Sequence, residues 1–345
     1  MKKTVVVAMS GGVDSSVAAY LLKEKKYNVI GLFMKNWHDT SVTVSDECPW
    51  LEDSYDAMNV AEKLNIPFQS IDLSDDYKLK IVDYMINEYE EGRTPNPDVL
   101  CNKEIKFDIF LKKSLSLGAD FIATGHYARK TETKSGKKII YKLLSAKDRL
   151  KDQSYFLCQL NQDQISKILF PIGELEKSEV RYIAKKQNLA TAEKRDSQGL
   201  CFIGKVKLSD FLKQKLIERK GKVILIEKQS FLKRNKESFH KTFDTFLDNN
   251  SKPLIFNLED GDAIGYHTGA HFYTVGQRKG LSIGGAKKPL YILKTDVKNN
   301  IIYVGEGSDH PGLFRRGIAV NKEKVHWVRE DLKLSENKFI KVKSN

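Results

Sequence analysis

The sequence has few cysteines, few prolines and no long apolar run. Its 345 residues include 4 cysteines and 8 prolines, which excludes a disulfide-rich scaffold and a proline-rich disordered chain. No segment approaches the ~18 apolar residues of a membrane helix. The apolar run from Val5 to Met9 is shorter than the ~7 residues of a signal-peptide core. We therefore expect a soluble cytoplasmic protein without a membrane partner.

Acidic residues are also in deficit. The chain carries 58 Lys and Arg against 45 Asp and Glu, a net charge of +13, which favours a polyanionic partner or substrate. Hydrophobic residues at 41% and aromatic residues at 10% supply enough apolar surface for packed cores. The length predicts two or three domains.

Strands alternate with helices in the first part of the chain. A β-branched run at residues 4–9 and an apolar run at 28–34 predict strands, and residues 68–72 and 120–124 predict two more. Residues 16–23, 51–64 and 102–117 predict helices. This order is typical of an α/β fold with a doubly wound parallel sheet. In such a sheet, ligands bind at the carboxyl ends of the strands.

The rest of the chain has other patterns. Residues 148–204 predict a small helical segment with a helix at 176–187, and residues 205–252 hold 13 Lys and Arg against 6 Asp and Glu without a clear period. From Gly261 onward, short alternating runs such as 289–294 and 300–304 predict a small antiparallel barrel. We expect three regions, at 1–204, 205–285 and 286–345.

The segment Ser10-Gly11-Gly12-Val13-Asp14-Ser15-Ser16 lies between a predicted strand and a predicted helix. Backbone N–H groups in such a turn and at the helix N-terminus hold phosphate, and the glycines allow close approach. No Gly-Lys-Ser/Thr follows, so the loop lacks the lysine that a Walker loop uses for γ-phosphate transfer. We therefore expect cleavage between the α and β phosphates; a serine-rich helix cap is the simpler alternative.

Two cysteines have surroundings that favour chemistry. Cys101 follows Pro95-Asn96-Pro97-Asp98, and we expect a helix to begin near Cys101 or Asn102. A thiol there, beside Lys103, has a lowered pKa, and Asp98 is placed to move protons. Cys201 follows the basic, glycine-bearing run 194–199, which also favours thiolate. For both, a buried structural cysteine is the alternative; Cys48 and Cys158 receive no role, and Cys158 resembles a core residue.

Histidines and the remaining basic turn give weaker signals. His126 follows the fourth predicted strand, where it contacts substrate or only caps the strand. His267 and His271 are four apart, but Gly265 and Gly269 oppose a helical metal pair, and we expect no metal site in the protein. The turn Gln277-Arg278-Lys279 suits phosphate contact or simple solvation.

Seven segments together resemble a known family. They occur in order at residues 9–16, 31–37, 92–107, 123–129, 151–157, 196–204 and 273–281. Together they are similar to the tRNA-specific 2-thiouridylases, ATP-pyrophosphatase-type enzymes that thiolate the wobble uridine of certain tRNAs. The resemblance runs from residue 4 to about residue 330. It implies an adenine nucleotide α-hydrolase-like catalytic domain at 1–204 with a tRNA-contacting segment at 148–204, followed by the central domain and the barrel.

The resemblance also implies roles for individual residues. ATP would contact Ala8, Met9, Ser10, Gly11, Gly12, Val13, Asp14, Ser15, Met34 and Gly125. The target base would meet Asn96, Pro97 and Asp98, and the tRNA would also contact His126, Lys151, Asp152 and Gln153. Cys101 corresponds to the nucleophile of the family and Cys201 to its persulfide carrier.

The implied reaction accounts for these groups. The C2 carbonyl oxygen of uracil leaves poorly, so ATP adenylates it and pyrophosphate is released. A persulfide on Cys201, loaded by a cysteine desulfurase or a sulfur-relay protein, then delivers sulfur to C2 with loss of AMP. Cys101 resolves the remaining bond, and the two cysteines finish as a redox disulfide. Asp98 is a candidate acid or base, and Mg²⁺ is expected with ATP.

Two departures from the family pattern limit the transfer of roles. Relatives usually continue beyond residue 345, so we expect an incomplete C-terminal barrel. The stretch 225–258 is longer than in many relatives and adds positive charge.

Functions of other classes remain open on the residues alone. An ATP-pyrophosphatase ligase or amidotransferase acting on a small molecule explains the loop but not the paired cysteines. A non-catalytic RNA-binding module explains the charge, and a redox sensor explains Cys101 and Cys201 without a nucleotide.

Overall fold

In the computed structural model, which describes residues 2–36, 49–196, 208–234, 247 and 249–334, the β-branched run near the N-terminus is the central strand of a parallel sheet. This strand, β1, is Thr4–Ala8. Val5, Val6 and Val7 are all at most 1% exposed. Because successive strand residues point to opposite faces, both faces of the sheet are covered.

The parallel sheet has five strands. Its other members are β2 (Asn28–Lys35), β3 (Phe68–Asp72), β4 (Phe121–Ala123) and β7 (Ile168–Leu169), in the order β3-β2-β1-β4-β7. Thr4 pairs with Asn28 on one side of β1, and Val5 pairs with Phe121 on the other. The four predicted strands and the doubly wound α/β fold are confirmed. The two-residue strand β7 was not predicted.

Helices and one hairpin complete this part of the fold. The helices are α1 (Val13–Glu24), α2 (Pro49–Lys63), α3 (Ser74–Tyr77), α4 (Asp83–Glu90), α5 (Pro97–Leu100), α6 (Phe110–Ser116), α7 (Gln162–Ser166) and α8 (Lys177–Lys186). Two π-helical stretches, Lys78–Val82 and Cys101–Ile109, and a 3₁₀ turn, Ser154–Leu157, lie among them. Strands β5 (Ala128–Ser135) and β6 (Lys138–Ser145) form a separate antiparallel hairpin, which was not predicted.

One predicted helix start is wrong. The helix expected to begin near Cys101 begins at Pro97 and continues through the π-helix and α6. The side-chain oxygen of Asn96 accepts a hydrogen bond from the Val99 N–H at 3.2 Å, and Pro97 occupies the first helical position, where proline is favoured. Cys101 therefore lies one turn inside the helix, so the thiol is not at its N-terminus.

The basic stretch contains regular structure that its sequence did not reveal. Helices α9 (Leu208–Lys215) and α10 (Lys228–Arg234) flank strand β8 (Gly221–Leu225). Strands β9 (Asp262–His267), β10 (Leu290–Asp296) and β11 (Ile301–Glu306) join β8 in a sheet with the order β10-β11-β8-β9. The strands predicted near 289–294 and 300–304 are confirmed.

This second sheet is antiparallel except at one pair. Strands β10 and β11, and strands β8 and β9, pair antiparallel, whereas β11 and β8 run parallel. A parallel pair needs a crossover connection rather than a hairpin. Strand β8 meets this requirement because it precedes β11 by about 75 residues of chain.

The chain divides into two compact units. The first comprises Met1–Val82, Asn96–Lys207 and His326–Asn345, and the second comprises Asp83–Pro95 and Leu208–Val325. The boundaries of the three expected regions stay a prediction. Within the described residues, no helix combines the length and apolarity that a membrane span requires.

Candidate active site

The site lies where the chain changes direction in the parallel sheet. From β1 the chain runs outward to β2 and β3, and it returns to the opposite side of β1 as β4. The segments after β1 and β4 therefore emerge side by side at the carboxyl edge of the sheet. Such a switch point is where open α/β sheets bind ligands. The loop Ser10–Ser16 and the segment Thr124-Gly125-His126 meet there.

The loop after β1 is folded around its own serines. The Ser15 hydroxyl donates to the Gly12 carbonyl at 3.1 Å and accepts from the Ser10 N–H at 3.1 Å. Gly12 is the N-cap of α1 and has no side chain to bond the first-turn N–H groups. Those donors at the positive end of the helix dipole suit a phosphate.

Two glycines let other backbone segments touch this loop. A Cβ atom on Gly125 would lie 2.6 Å from the Ser15 backbone nitrogen, and one on Gly11 would lie 2.1 Å from the Asp53 carbonyl oxygen. Gly11 also has a φ of +70°, which favours glycine. The loop after β1 and the segment after β4 are therefore in contact, and the ATP-binding roles of their residues stay a prediction.

Asp14 is the centre of an ion-pair cluster. Lys177 Nζ lies 2.8 and 2.9 Å from its two carboxylate oxygens, and the Tyr127 hydroxyl donates to Oδ1 at 2.8 Å. The same Lys177 Nζ lies 2.8 Å from Asp196 Oδ1. Lys177 therefore bridges the loop to the segment that precedes Cys201.

Asp196 has two further cationic partners. Lys151 Nζ lies 2.8 Å from Oδ2 and Arg181 donates to Oδ1 at 2.7 Å. Burial acts to raise the pKa of Asp196, but the hydrogen bonds from Lys151 and Lys177 outweigh it and hold the pKa well below its usual value. The carboxylate is therefore charged across the neutral range.

The residues just before Asp196 are fastened to the loop and to α2. The Thr191 hydroxyl donates to the Ser16 hydroxyl at 2.9 Å in a buried position. Arg181 also donates to the carbonyls of Ala192 and Lys194, at 3.1 and 3.0 Å. Lys194 Nζ bonds Asp53 at 2.7 Å and also bonds Asp56. We call residues 191–196 the stem; its attachment fixes where the Cys201 segment starts.

Cys101 and Asp98 lie on the helix that Asn96 caps. The Cys101 side chain is buried, at 1% exposure, and Asp98 is half-buried. Burial raises the pKa of Tyr155, and the nearby Asp98 carboxylate raises it further by a smaller amount. Helix α5 packs on the 3₁₀ turn Ser154–Leu157, which directly follows Lys151-Asp152-Gln153. The expected base-contacting and tRNA-contacting segments are thus neighbours.

Asp152 and Gln153, two of the expected tRNA contacts, accept hydrogen bonds from backbone N–H groups of the protein. Asp152 accepts hydrogen bonds from the N–H groups of Ala146 and Ser154, at 3.0 and 3.1 Å. Gln153 Oε1 accepts from the Tyr127 N–H at 3.0 Å. These bonds shape the loop and tie it to Tyr127, and their side chains therefore have a structural task beside any contact with RNA.

His126 is a neutral residue at the end of β4. Its ring lies between Phe107 and Phe170, with centroid distances of 5.8 and 6.5 Å, and Nδ1 is 2.8 Å from the Thr124 hydroxyl. Burial, with a smaller effect of Lys106, lowers the pKa of His126 well below its usual value. The imidazole therefore carries no charge for a phosphate and acts only as a neutral hydrogen-bonding group.

Comparison with known proteins identifies the family. A family model described as tRNA methyl transferase HUP domain matches residues 3–205, and one described as tRNA methyl transferase PRC-barrel domain matches residues 244–306. The tRNA-specific 2-thiouridylase MnmA of Christiangramia forsetii is 60% identical over 344 residues, covering 99% of this chain and 87% of its own. The chain belongs to the tRNA-specific 2-thiouridylase family.

Other relatives carry the same name. The tRNA-specific 2-thiouridylase MnmA of Flavobacterium johnsoniae is 59% identical over 340 residues, covering 99% of this chain and 86% of its own. That of Bacillus subtilis is 45% identical over 332 residues, covering 96% of this chain and 78% of its own. The full-length 2-thiouridylases, rather than the methyl transferase wording of the domain models, decide the family because they match nearly the whole chain.

Two of the four cysteines of this 2-thiouridylase family member lie outside the described residues. They are Cys48 and Cys201, so the expected Cys101–Cys201 disulfide is not supported by the structure and stays a prediction. Cys158, which was expected to lie in the core, is exposed; that expectation is wrong. Its side chain extends from the end of a 3₁₀ turn whose Leu157 takes the buried position instead.

Sequence reasoning missed several residues of this 2-thiouridylase site. Lys177, Tyr127 and Thr191 bond the loop directly, yet none belongs to the loop motif. Lys177 is 163 positions from Asp14, and no local spacing relates two such residues. Tyr127 stood inside a segment that resembled the family, which is the one signal that was present.

Proposed function

We propose that this protein is an ATP-dependent tRNA uridine 2-sulfurtransferase that acts on the wobble uridine. It adenylates O2 of the base with release of pyrophosphate, and it then replaces that oxygen with sulfur from a persulfide on Cys201. The observation that carries the proposal is the attachment of the stem to the nucleotide loop, through Thr191 to Ser16 and through Lys177 between Asp14 and Asp196.

The loop fits the polyphosphate of ATP. The segment from Ala8 to Ser15 contains Gly11 and Gly12 and ends in the first turn of α1, whose N–H groups have no side-chain cap. Free backbone N–H groups beside glycines are what a phosphate site requires. Met34, near the end of β2, and Gly125, after β4, complete the expected contacts. Mg²⁺ with ATP would offset phosphate charge, and the Asp14 carboxylate is the oxygen ligand that the loop offers.

Two buried polar atoms of the protein are available to bind the adenine of ATP. Asn36 Oδ1 and Trp50 Nε1 are buried, and neither has a hydrogen-bond partner among the described residues. They lie just after β2 and at the start of α2, on the strand and helix next to the loop. One acceptor and one donor are what an adenine edge needs for recognition.

Covalent geometry limits the distance between Cys201 and the nucleotide. Cys201 is five residues from Asp196, and five residues span at most about 18 Å. Because Asp196 shares Lys177 with Asp14, a chain of this length would allow a Cys201 persulfide to reach the loop. This supports a relay at the sheet edge.

The two cysteines, the adenylated base and an external thiol account for every bond formed and broken in the sulfur transfer. The outer sulfur of the Cys201 persulfide forms a bond to C2 of the base as the bond from C2 to the AMP oxygen breaks. The Cys101 thiolate then attacks the Cys201 sulfur, which releases the 2-thiouridine thiolate and leaves a Cys101–Cys201 disulfide. An external thiol reductant restores both cysteines, and a cysteine desulfurase or sulfur-relay protein reloads Cys201.

The base would enter beside the helix that begins at Pro97. Asn96, Pro97 and Asp98 lie at its first turn, and the ring of Tyr155, 53% exposed, is next to Asp98. An extruded base needs an aromatic or apolar face on which to stack and polar groups at its edge. Lys151, Asp152, Gln153 and His126 would contact the surrounding tRNA.

Pyrophosphate release is the direct test of the proposed function. A 2-thiouridylase releases pyrophosphate from ATP only when its tRNA is present, whereas a ligase acting on a small molecule releases it with its own substrate and without tRNA. We expect release with tRNA that has uridine at the wobble position and none with the same tRNA carrying cytidine there. Equal release with and without tRNA would contradict the proposal.

A further inference from the structure

The nucleotide loop has no lysine of its own. Residues 10–16 read Ser-Gly-Gly-Val-Asp-Ser-Ser, whereas Walker-type loops place a lysine on the β and γ phosphates. The folded chain brings a lysine to this loop from α8. Lys177 Nζ lies within 2.9 Å of both carboxylate oxygens of Asp14, at the first turn of α1.

The Lys177 ammonium group has limited freedom but is not sealed. Its side chain is 13% exposed, and its Nζ lies 5.7 Å from the centre of the Tyr127 ring. A lysine presents a compact charge on a flexible stem with three donors. It can therefore serve a carboxylate and a phosphate oxygen from nearly the same position.

Both carboxylates keep other partners if Lys177 turns toward a ligand. Asp14 retains the hydrogen bond from the Tyr127 hydroxyl at 2.8 Å. Asp196 retains Lys151 at 2.8 Å and Arg181 at 2.7 Å. An exchange of partners by Lys177 thus leaves no carboxylate without a hydrogen bond, which keeps its cost low.

We propose that Lys177 is the polyphosphate-binding lysine of this site, supplied by α8 in place of a lysine within the loop. The inference rests on the proposed function in that it takes ATP as the substrate. It assigns Lys177 to the phosphates that leave as pyrophosphate, because the loop proposed to hold the polyphosphate has no lysine and the Lys177 ammonium group contacts Asp14 of that loop.

The test compares ligands that differ only in phosphate number. Dissociation constants for AMP and for ATP with Mg²⁺ are measured by calorimetry on the full chain, for the wild type and for K177M. Loss of one charged hydrogen bond weakens binding by about 10-fold to 100-fold, so we expect that loss for ATP and less than about a 2-fold change for AMP. K177R should recover part of the ATP affinity because it retains the charge.

A matched control lies on the same helix. Lys185 of α8 pairs with the exposed Glu193 of the stem at 3.0 Å. K185M therefore also removes an ion pair between α8 and the stem, but one that does not involve the loop. K185M should bind ATP and AMP as the wild type does. If K177M fails to fold, K177Q replaces it, because glutamine keeps a hydrogen-bond donor for the two carboxylates without the charge.

The outcomes separate this inference from the proposed function. A K177M or K177Q protein that binds ATP as tightly as the wild type overturns the inference alone. An equal loss for ATP and AMP also overturns it, since that pattern belongs to a purely structural lysine. A wild type that does not bind ATP overturns the inference together with the proposed function.

Discussion

At the scale of single residues, the loop depends on a glycine from another strand end. Gly125 touches the backbone of Ser15, and an alanine Cβ there would lie 2.6 Å from its nitrogen. Backbone atoms at both sides cannot move independently, so G125A should destabilise the protein by about 1–3 kcal/mol and weaken ATP binding. The measurements are urea unfolding and calorimetry. G284A is the control, because a Cβ at Gly284 meets nothing within 4 Å. Unchanged ATP affinity in G125A would contradict the described contact.

A buried histidine makes the stability of the second unit depend on pH. His310 accepts the Gly312 N–H at Nδ1 at 3.0 Å, and its Nε2 lies 3.1 Å from the Ile226 carbonyl oxygen. Burial lowers the pKa of His310, and the neighbouring Lys228 and Asp309 have smaller, opposing effects. Protonation would put a hydrogen on Nδ1, where the ring now accepts a bond.

The sign of this effect follows from proton binding. Below pH ~6.5 the histidine binds a proton in the unfolded state but stays neutral in the folded state. The free energy of unfolding therefore falls as pH drops from about 6.5 toward about 5. The slope is at most about 1.4 kcal/mol per pH unit for one histidine. In urea unfolding at pH 7.5, 6.5 and 5.5, H310Q should show a shallower fall than the wild type. His126, His267 and His271, whose pKa values burial also lowers, contribute to the fall that remains in H310Q. Parallel curves for the two proteins would refute the assignment.

At the scale of elements, variants of Asn96, the N-cap of the helix that contains Cys101, distinguish its effect on stability from a contact with the base. N96A removes the acceptor for the Val99 N–H and should lower the free energy of unfolding by about 1 kcal/mol. N96D retains a capping oxygen, so its stability should equal that of the wild type. If Asn96 also meets the base, N96D should still thiolate tRNA more slowly. A fully active N96D protein would show that the residue only caps.

Some of the elements were predictable from the sequence and others were not. The strands at 4–9, 28–34 and 120–124 were predictable because each contains a buried apolar run, and the loop was predictable because its motif is local. The strand at 68–72 is an edge strand without a buried residue, and its signal was its place in the alternation of strands with helices. Asn96 followed by Pro97 is a helix-start signal, because asparagine is a favoured N-cap and proline a favoured first helical residue. This signal places the helix start at Pro97 rather than near Cys101. The hairpin of β5 and β6 was missed because β5 is polar and mostly exposed, whereas β6 has its apolar residues in adjacent positions rather than in alternation. The Lys177 contact with Asp14 depends on packing between distant segments, which no local pattern encodes.

At the scale of the whole molecule, the excess of 13 positive charges should make tRNA binding sensitive to salt. Each lysine that neutralises a phosphate contributes about 0.7–0.9 to the slope of log affinity against log salt. Lys220 and Lys222 are exposed in the basic stretch, and the double variant K220Q/K222Q should reduce that slope by more than 1. The matched variant K137Q/K138Q, at the exposed turn of the β5–β6 hairpin, should leave it unchanged. Filter binding from about 50 to about 200 mM KCl measures both slopes. Equal slopes for all proteins would contradict the prediction that the basic stretch contacts the tRNA backbone.

The proposed function depends on a single chemical claim, that sulfur passes through Cys201 and is released with the help of Cys101. The most direct measurement is mass analysis of tRNA nucleosides after incubation with ATP, a persulfide donor and a thiol reductant. The wild type and C158A, which alters an exposed cysteine without an assigned role, should both form 2-thiouridine. C201A and C101A should form none, while both still release pyrophosphate in the presence of tRNA. Formation of 2-thiouridine by either C201A or C101A would contradict the account.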